Sequence, residues 1–351
     1  MSVTLTELLA MAGGVVLVGV VAHGAWQARK AGPKRAVPPM EEPHFDAPPE
    51  GGADAADATV PDALDVTMPA VARPVRRASN RIDALIDAIS TITVESPVSG
   101  ELALQHQPGS RRAGTKPLQI EGLNAATGEW ELPAPGQRYS EFQAGLKMAN
   151  RSGALNQIEY SEFVQKIQAF ADGVSGYVQF PDMLDVVARA RELDQFAASH
   201  DAQLALLLRA RAAAWTPGFV QQAAARHGFV AGALPGRLVL PSPEEGAPPV
   251  LTLQFDARAA LAEDPEALSL RELTLSLDVP QTPAEQEPFA LWQESARSLS
   301  RDLEAEICDD RGQVLGLHAF AAIDVELKKL YEALAARDLA AGSPAARRLF
   351  S

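Results

Sequence analysis

The sequence predicts an α+β fold behind one N-terminal transmembrane helix, and three observations predict it. Residues Leu8–Trp26 form a run of 19 residues without a formal charge. Short alternating apolar runs, among them LALLLRARA at 204–212 and LTLSLDV at 273–279, read as strands. Other segments carry apolar residues at helical spacing, such as Met183, Val186, Val187, Ala190 and Leu193. Strands and helices are mixed without strict alternation, which points to a mostly antiparallel sheet with helices on one face.

A helix made of Leu8–Trp26 would span roughly 28 Å, close to the ~30 Å hydrocarbon core of a bilayer. Glu7 borders it on one side; Arg29, Lys30, Lys34 and Arg35 follow on the other. Trp26 stands where an aromatic ring prefers the headgroup layer, and the basic flank is retained in the cytoplasm. Residues 1–27 are therefore expected to be an uncleaved single-pass anchor in contact with lipid through residues 8–26. A cleaved signal peptide has the opposite charge order.

Residues 28–79 read as a disordered linker. Proline, alanine, glycine and acidic residues dominate, and Met40–Met68 holds eight acidic residues with no Lys or Arg. Such a stretch buries too little surface to offset its chain entropy. About 50 residues of coil reach roughly 40 Å, so the stretch is a tether. Arg73, Arg76 and Arg77 mark the approach to folded sequence.

From there the elements follow in order. Ile89–Val94 is expected to be a strand and Gly100–Gln107 a short helix. PLQIEGLN (117–124) and GEWELP (128–133) read as a strand pair, and Phe142–Ala149 as a further strand. Helices are expected near Glu159–Ala171 and Pro181–Ser199. The next unit opens with the strand Leu204–Ala212. Thr216 caps a helix that has Pro217 at its first position and ends at His227–Gly228. Strands follow near Gly236–Leu240, Val250–Phe255 and Leu273–Val279, then a helix over Glu285–Leu303. The turn DDRG (309–312) comes next, and a last helix runs over His318–Ala336. Each unit reads strand, helix, strands, longer helix, short strand, helix. The shared order suggests two related lobes, residues 80–199 and 200–340, joined by a brief polar joint near His200–Gln203.

Composition removes several functions. A net charge of −14 argues against nucleic acid as a partner. The only cysteine, Cys308, excludes an internal disulfide framework. There is no CxxC, HExxH, Walker loop or GxGxxG, and the six histidines lack metal-ligand spacing. No cofactor, metal or catalytic residue is therefore expected. Cys308 before Asp309–Asp310 reads as a buried strand residue. His200 reads as a helix-end histidine, and Asp302, Glu304 and Glu306 as a solvated helix end. ARRLFS (346–351) reads as a frayed terminus.

The layout of anchor, Pro-rich tether and C-terminal α+β domain resembles the ZipA family of bacterial cell division proteins. The local matches are AHGAWQARK at 22–30, HGFVAG at 227–232, LSLDVP at 275–280 and QESARSLSRDLEAEICDDRGQVL at 293–315. The resemblance covers the anchor and about residues 200–338. It implies a split β-α-β domain and a non-enzymatic adaptor in the inner membrane, with a periplasmic N-terminus and a cytoplasmic C-terminal domain. The adaptor would tether the division GTPase FtsZ by holding its C-terminal tail peptide on an exposed sheet face.

Alternation places Leu204, Leu206, Leu208, Leu251, Leu253, Phe255, Leu273, Leu275 and Leu277 toward the helices. The opposite face then carries Leu207, Arg209, Arg211, Thr252, Gln254, Asp256, Thr274 and Ser276, and Leu234 matches a groove methionine of the family. The family's groove is rich in Met, Phe, Val and Ile, whereas this face is largely polar. A second reading is a membrane-anchored scaffold that docks a different partner through residues 80–199 and does not bind the FtsZ tail.

Overall fold

The computed structural model describes residues 82–260 and 269–351; the expected anchor at 8–26 and the linker at 28–79 lie outside them. The described residues fall in one compact unit of mixed α and β structure with antiparallel sheets. No helix among the described residues is long and apolar enough to cross a membrane.

The first half opens with β1 (Asp87–Ser99). Ser99 caps α1 (Gly100–Gln105), its hydroxyl accepting from the Leu102 amide at 3.3 Å. Strands β2 (Arg112–Ala113), β3 (Lys116–Asn124), β4 (Trp130–Glu131) and β5 (Arg138–Lys147) follow, then a small hairpin of β6 (Ala149–Asn150) and β7 (Gly153–Ala154). A capping box starts α2 (Gln157–Gly173): Asn156 accepts from the Ile158 and Glu159 amides, and Glu159 accepts from the Asn156 amide. After β8 (Gly176–Gln179), Asp182 caps α3 (Met183–His200). The strands lie in the order β2-β3-β5-β1-β8, with β4 beside β3.

The second half begins three residues later with β9 (Gln203–Ala210). Thr216 caps α4 (Pro217–Ala225), with Pro217 at the first position, as expected. Then come β10 (Val230–Ala231), β11 (Arg237–Leu240), β12 (Leu251–Gln254), α5 (Ala257–Ala260) and β13 (Glu272–Asp278). Helix α6 (Pro288–Asp302), β14 (Ala305–Cys308) and α7 (Leu317–Ala335) complete this half. The sheet order is β10-β11-β12-β13-β9-β14. The principal strands of the two sheets thus have one order, β3-β5-β1-β8 and β12-β13-β9-β14. In each, the opening strand lies between the third principal strand and the short one that follows the long helix.

The C-terminus corrects the expectation of a frayed end. Ser343 caps α8 (Pro344–Leu349), its hydroxyl accepting from the Ala346 amide at 3.2 Å. Ala346, Leu349 and Phe350 are buried in the core of the first half, together with Leu334 and Leu339. Gly342 (φ 75°) makes the approach turn, where a Cβ would lie 2.4 Å from the Pro283 ring. The segment folds because Ala345, Ala346, Leu349 and Phe350 recur at helical spacing and find apolar surface to cover. Leu330 of α7 packs against both cores, so the last helix and the tail join the halves.

Two ionic clusters reinforce that junction. Arg151, in the β6–β7 turn, holds Asp201 at 2.6 Å and Asp278, at the end of β13, at 2.7 Å. Arg348 of α8 pairs with Asp87 of β1 at 2.7 Å, where the Asp87 side chain is 0 % exposed. Lys147, opposite Asp87 in the ladder, donates to the Arg348 carbonyl and to Ser351 Oγ. Burial, aided by the nearby Arg348 charge, pushes the Lys147 pKa down to about 8. Below that value the folded chain carries a penalised ammonium; between pH 8 and the ordinary lysine range the unfolded chain binds more protons. Stability should therefore rise with pH across that window, and the rise should be missing in Lys147→Met. Urea unfolding at pH 7.5, 8.5 and 9.5 measures the difference between the two curves.

Candidate functional site

The second sheet buries one face and leaves the other open. Leu206, Leu208, Leu251, Leu253, Phe255, Leu273, Leu275 and Leu277 are buried against Trp292, Ala296 and Leu299 of α6, while Leu204 is half-buried. Strand residues alternate in direction, so their neighbours point the other way. Cross-strand pairing arranges these neighbours in rows. One row runs Cys308, Leu207, Thr274, Gln254, Arg237. A second runs Ala205, Ser276, Thr252, Val239, and a third Glu306, Arg209, Glu272.

Six of the nine residues named from the sequence stand in these rows: Leu207, Arg209, Thr252, Gln254, Thr274 and Ser276. Asp256 follows β12 with the same alternation and accepts from the Arg258 amide at 2.9 Å at the start of α5. Arg211 differs from expectation. Strand β9 ends at Ala210, and Arg211 lies beyond it, its amide bonded to Glu304 O at 3.2 Å. Leu234 sits in the turn between β10 and β11 and is 59 % exposed.

A cavity of about 810 Å³ opens on this face, and Leu207, Gln254, Asp256 and Thr274 help line it. Its other polar walls are Arg258, Ser269, Arg271 and Glu272, so cations and anions are balanced. Arg209 is already engaged: its guanidinium bonds Glu306 at 3.2 Å and the Gly312 carbonyl of the DDRG turn at 3.1 Å. The bond to Glu306 comes first among the influences that hold Arg209 more firmly protonated. An incoming carboxylate meets this arginine only in competition with Glu306.

Arg237 is the residue that sequence reasoning passed over. It stands opposite Gln254 in the first row. It donates to Thr252 Oγ1 at 3.4 Å, and its buried Nε has no partner among the described residues. The signal was present, because alternation carried into RLVL (237–240) puts Arg237 and Val239 on the open face. The arrangement offers an apolar spot at Leu207, hydroxyl and amide groups around it, and one under-bonded guanidinium. That equipment can hold an extended peptide.

The side candidates resolve into structural roles. Cys308 is buried, and burial pushes its thiol pKa up. His200 stacks on Phe196, and Asp201 serves Arg151, so they are not a base and its orienter. Asp302 pairs with His227 at 3.0 Å while Glu306 pairs with Arg209, and the three carboxylates near the end of α6 do not converge. Among the described residues no group of three or more His, Cys, Asp or Glu side chains is placed to hold a metal ion. No protein-family model matches the chain, and no curated protein sequence matches it.

Proposed function

We propose that this chain is a membrane-anchored cell-division adaptor of ZipA type, which ties FtsZ to the inner membrane by holding the FtsZ C-terminal tail on the open face of the second sheet. The observation that carries the reading is that open face, with Leu207, Thr274, Gln254 and Arg237 aligned in one cross-strand row. A short extended segment lying along such a row meets alternate side chains and hydrogen-bonding groups. The order of β9, α4, β12, β13, α6 and β14 supports a split β-α-β unit. The identical order of principal strands in the other sheet supports an origin of both halves in one repeated unit. The apolar run at 8–26 and the acidic stretch after it supply anchor and tether, with the N-terminus outside.

Because Arg209 already holds Glu306, while Arg237 bonds the Thr252 hydroxyl and has no carboxylate partner among the described residues, Arg237 is the principal partner for acidic groups of the tail. Arg237→Ala should weaken tail binding about fivefold, roughly 1 kcal/mol for one partly exposed charge-assisted bond. It should also flatten the salt dependence, since screening acts on that charge. Leu234→Asp should abolish binding if the hairpin tip contacts the apolar part of the tail, by setting a charge against it. Peptide titration by fluorescence anisotropy at two salt concentrations reads both. The charge balance of the cavity favours weak binding and keeps a second reading in play, a scaffold that docks another partner through residues 80–199. Passing the full chain in detergent over immobilised FtsZ tail peptide separates the two: retention supports the adaptor, and free passage at low salt sinks it in favour of the scaffold.

A further inference from the structure

The open face of the first sheet has its own chemistry. Ile92, Phe142 and Val178 point into the core of the first half, so their strand neighbours point away from it. Cross-strand pairing arranges those neighbours in two rows. One runs Tyr177, Thr93, Glu141, Leu123, Trp130. The other runs Gln179, Thr91, Gln143, Glu121. Neither row contains a Lys or Arg. The basic residues of β5 are occupied elsewhere: Arg138 donates to the Pro97 carbonyl at 2.7 Å, and Lys147 donates to the Arg348 carbonyl and to Ser351 Oγ.

The two carboxylates differ. Glu121 is 3 % exposed and already accepts from the Ile82 amide, from Gln119 and from Gln143. Glu141 is half-buried at the centre of its row, between Thr93 and Leu123. Among the described residues its carboxylate has no hydrogen-bond or ion-pair partner. A partly buried carboxylate without a partner favours a cation. The row ends in an aromatic ring on each side, Tyr177 at 76 % exposure on the edge strand β8 and half-buried Trp130 on β4. Aromatic faces attract guanidinium and ammonium groups, and Leu123 adds apolar contact between Glu141 and Trp130. Four strand steps separate the two rings, about 19 Å, which is the span of roughly six extended residues.

We propose that this face is a second docking surface and that its occupant is an extended basic segment of a partner protein. An arginine or lysine of that segment meets Glu141, and the residues on either side of it meet Tyr177 at one end and Leu123 and Trp130 at the other. The choice of occupant rests on charge: the central row of the second sheet carries Arg237, whereas the central row here carries Glu141. The two open faces thus select segments of opposite sign. The inference stands whether or not the second sheet holds the FtsZ tail.

A fluorescein-labelled hexapeptide of alternating valine and arginine, titrated into the full chain in detergent at low salt and followed by anisotropy, tests it. The expected result is saturable binding, with none for the same peptide carrying glutamate in place of arginine. Glu141→Lys should weaken binding about tenfold. Glu141→Gln should weaken it while keeping the parent's urea midpoint, and Tyr177→Ala should weaken it about threefold. Glu192→Lys makes the same charge change at an exposed position on α3, which packs on the opposite face, and should bind as the parent does. A photoreactive benzoylphenylalanine at the exposed Thr93 should capture the peptide. No saturable binding, equal losses in Glu141→Lys and Glu192→Lys, or capture at Thr93 of the chain's own residues overturns the proposal. Titration of the FtsZ tail peptide into the same variants reports on the second sheet, so the two readings fail separately.

Discussion

Arg348→Ala should destabilise the chain by about 3–5 kcal/mol, the cost of breaking a buried ion pair by removing one partner. Asp87 would be left with no side-chain exposure and no guanidinium. Burial already pushes the Asp87 carboxyl above its ordinary value, against the lowering pull of Arg348. Without Arg348 that rise should grow. A carboxyl whose folded pKa is raised makes the folded state bind more protons than the unfolded one between the two values. Stability therefore falls as pH climbs through that window. The variant should be most damaged near neutrality and should partly recover on acidification toward the folded Asp87 pKa. Denaturant unfolding of both chains from pH 4.5 to 7.5 checks it; a loss equal at every pH would contradict the ion-pair account. Deleting residues 343–351 should cost more, because Leu349 and Phe350 also leave the core.

Trp292→Ala should cost a similar amount, about 3–5 kcal/mol, for a large aromatic side chain removed from a packed core. Trp292 is 2 % exposed and packs between Phe289 and Phe320. Its indole also donates to the Leu275 carbonyl at 3.2 Å, beneath β13. Thr274 and Ser276 flank Leu275 and face the open side. Losing the indole therefore loosens the strand that presents them, and tail binding should weaken along with stability. Circular dichroism in urea reads the stability change without relying on the lost fluorophore. A variant as stable as the parent would mean that the core beneath β13 is set by other side chains.

The elements that were legible in the sequence carry a local signal. Leu206 and Leu208 face inward and Leu207 and Arg209 outward because period-two alternation needs no knowledge of the rest of the chain. Thr216–Pro217 and Ser343–Pro344 are the same cap followed by the same first residue. The first was read as a helix start. The second carries the same kind of signal, but the sequence reading covers only ARRLFS (346–351), as a frayed terminus, although ARRLF has the apolar spacing to dock. Strand β8, GYVQ, is only four residues long and shows no pattern of its own; pairing with β1 makes it a strand. Ionic partners were illegible for a different reason. Arg348 and Asp87 are 261 positions apart, and nothing local in either marks the other. Arg209 likewise reads as an available cation until β14 brings Glu306 beside it.

The central claim, that the second sheet's open face receives the FtsZ tail, is tested most directly by finding where the tail lies. A tail peptide carrying a photoreactive group at its middle residue would be cross-linked to the full chain at low salt, and the adducts located by mass spectrometry. The account predicts adducts on Leu207, on residues 237–239, or on residues 252–256 and 274–276, competed away by unlabelled tail. Competed adducts confined to residues 82–199 would contradict it and assign the partner to the first half.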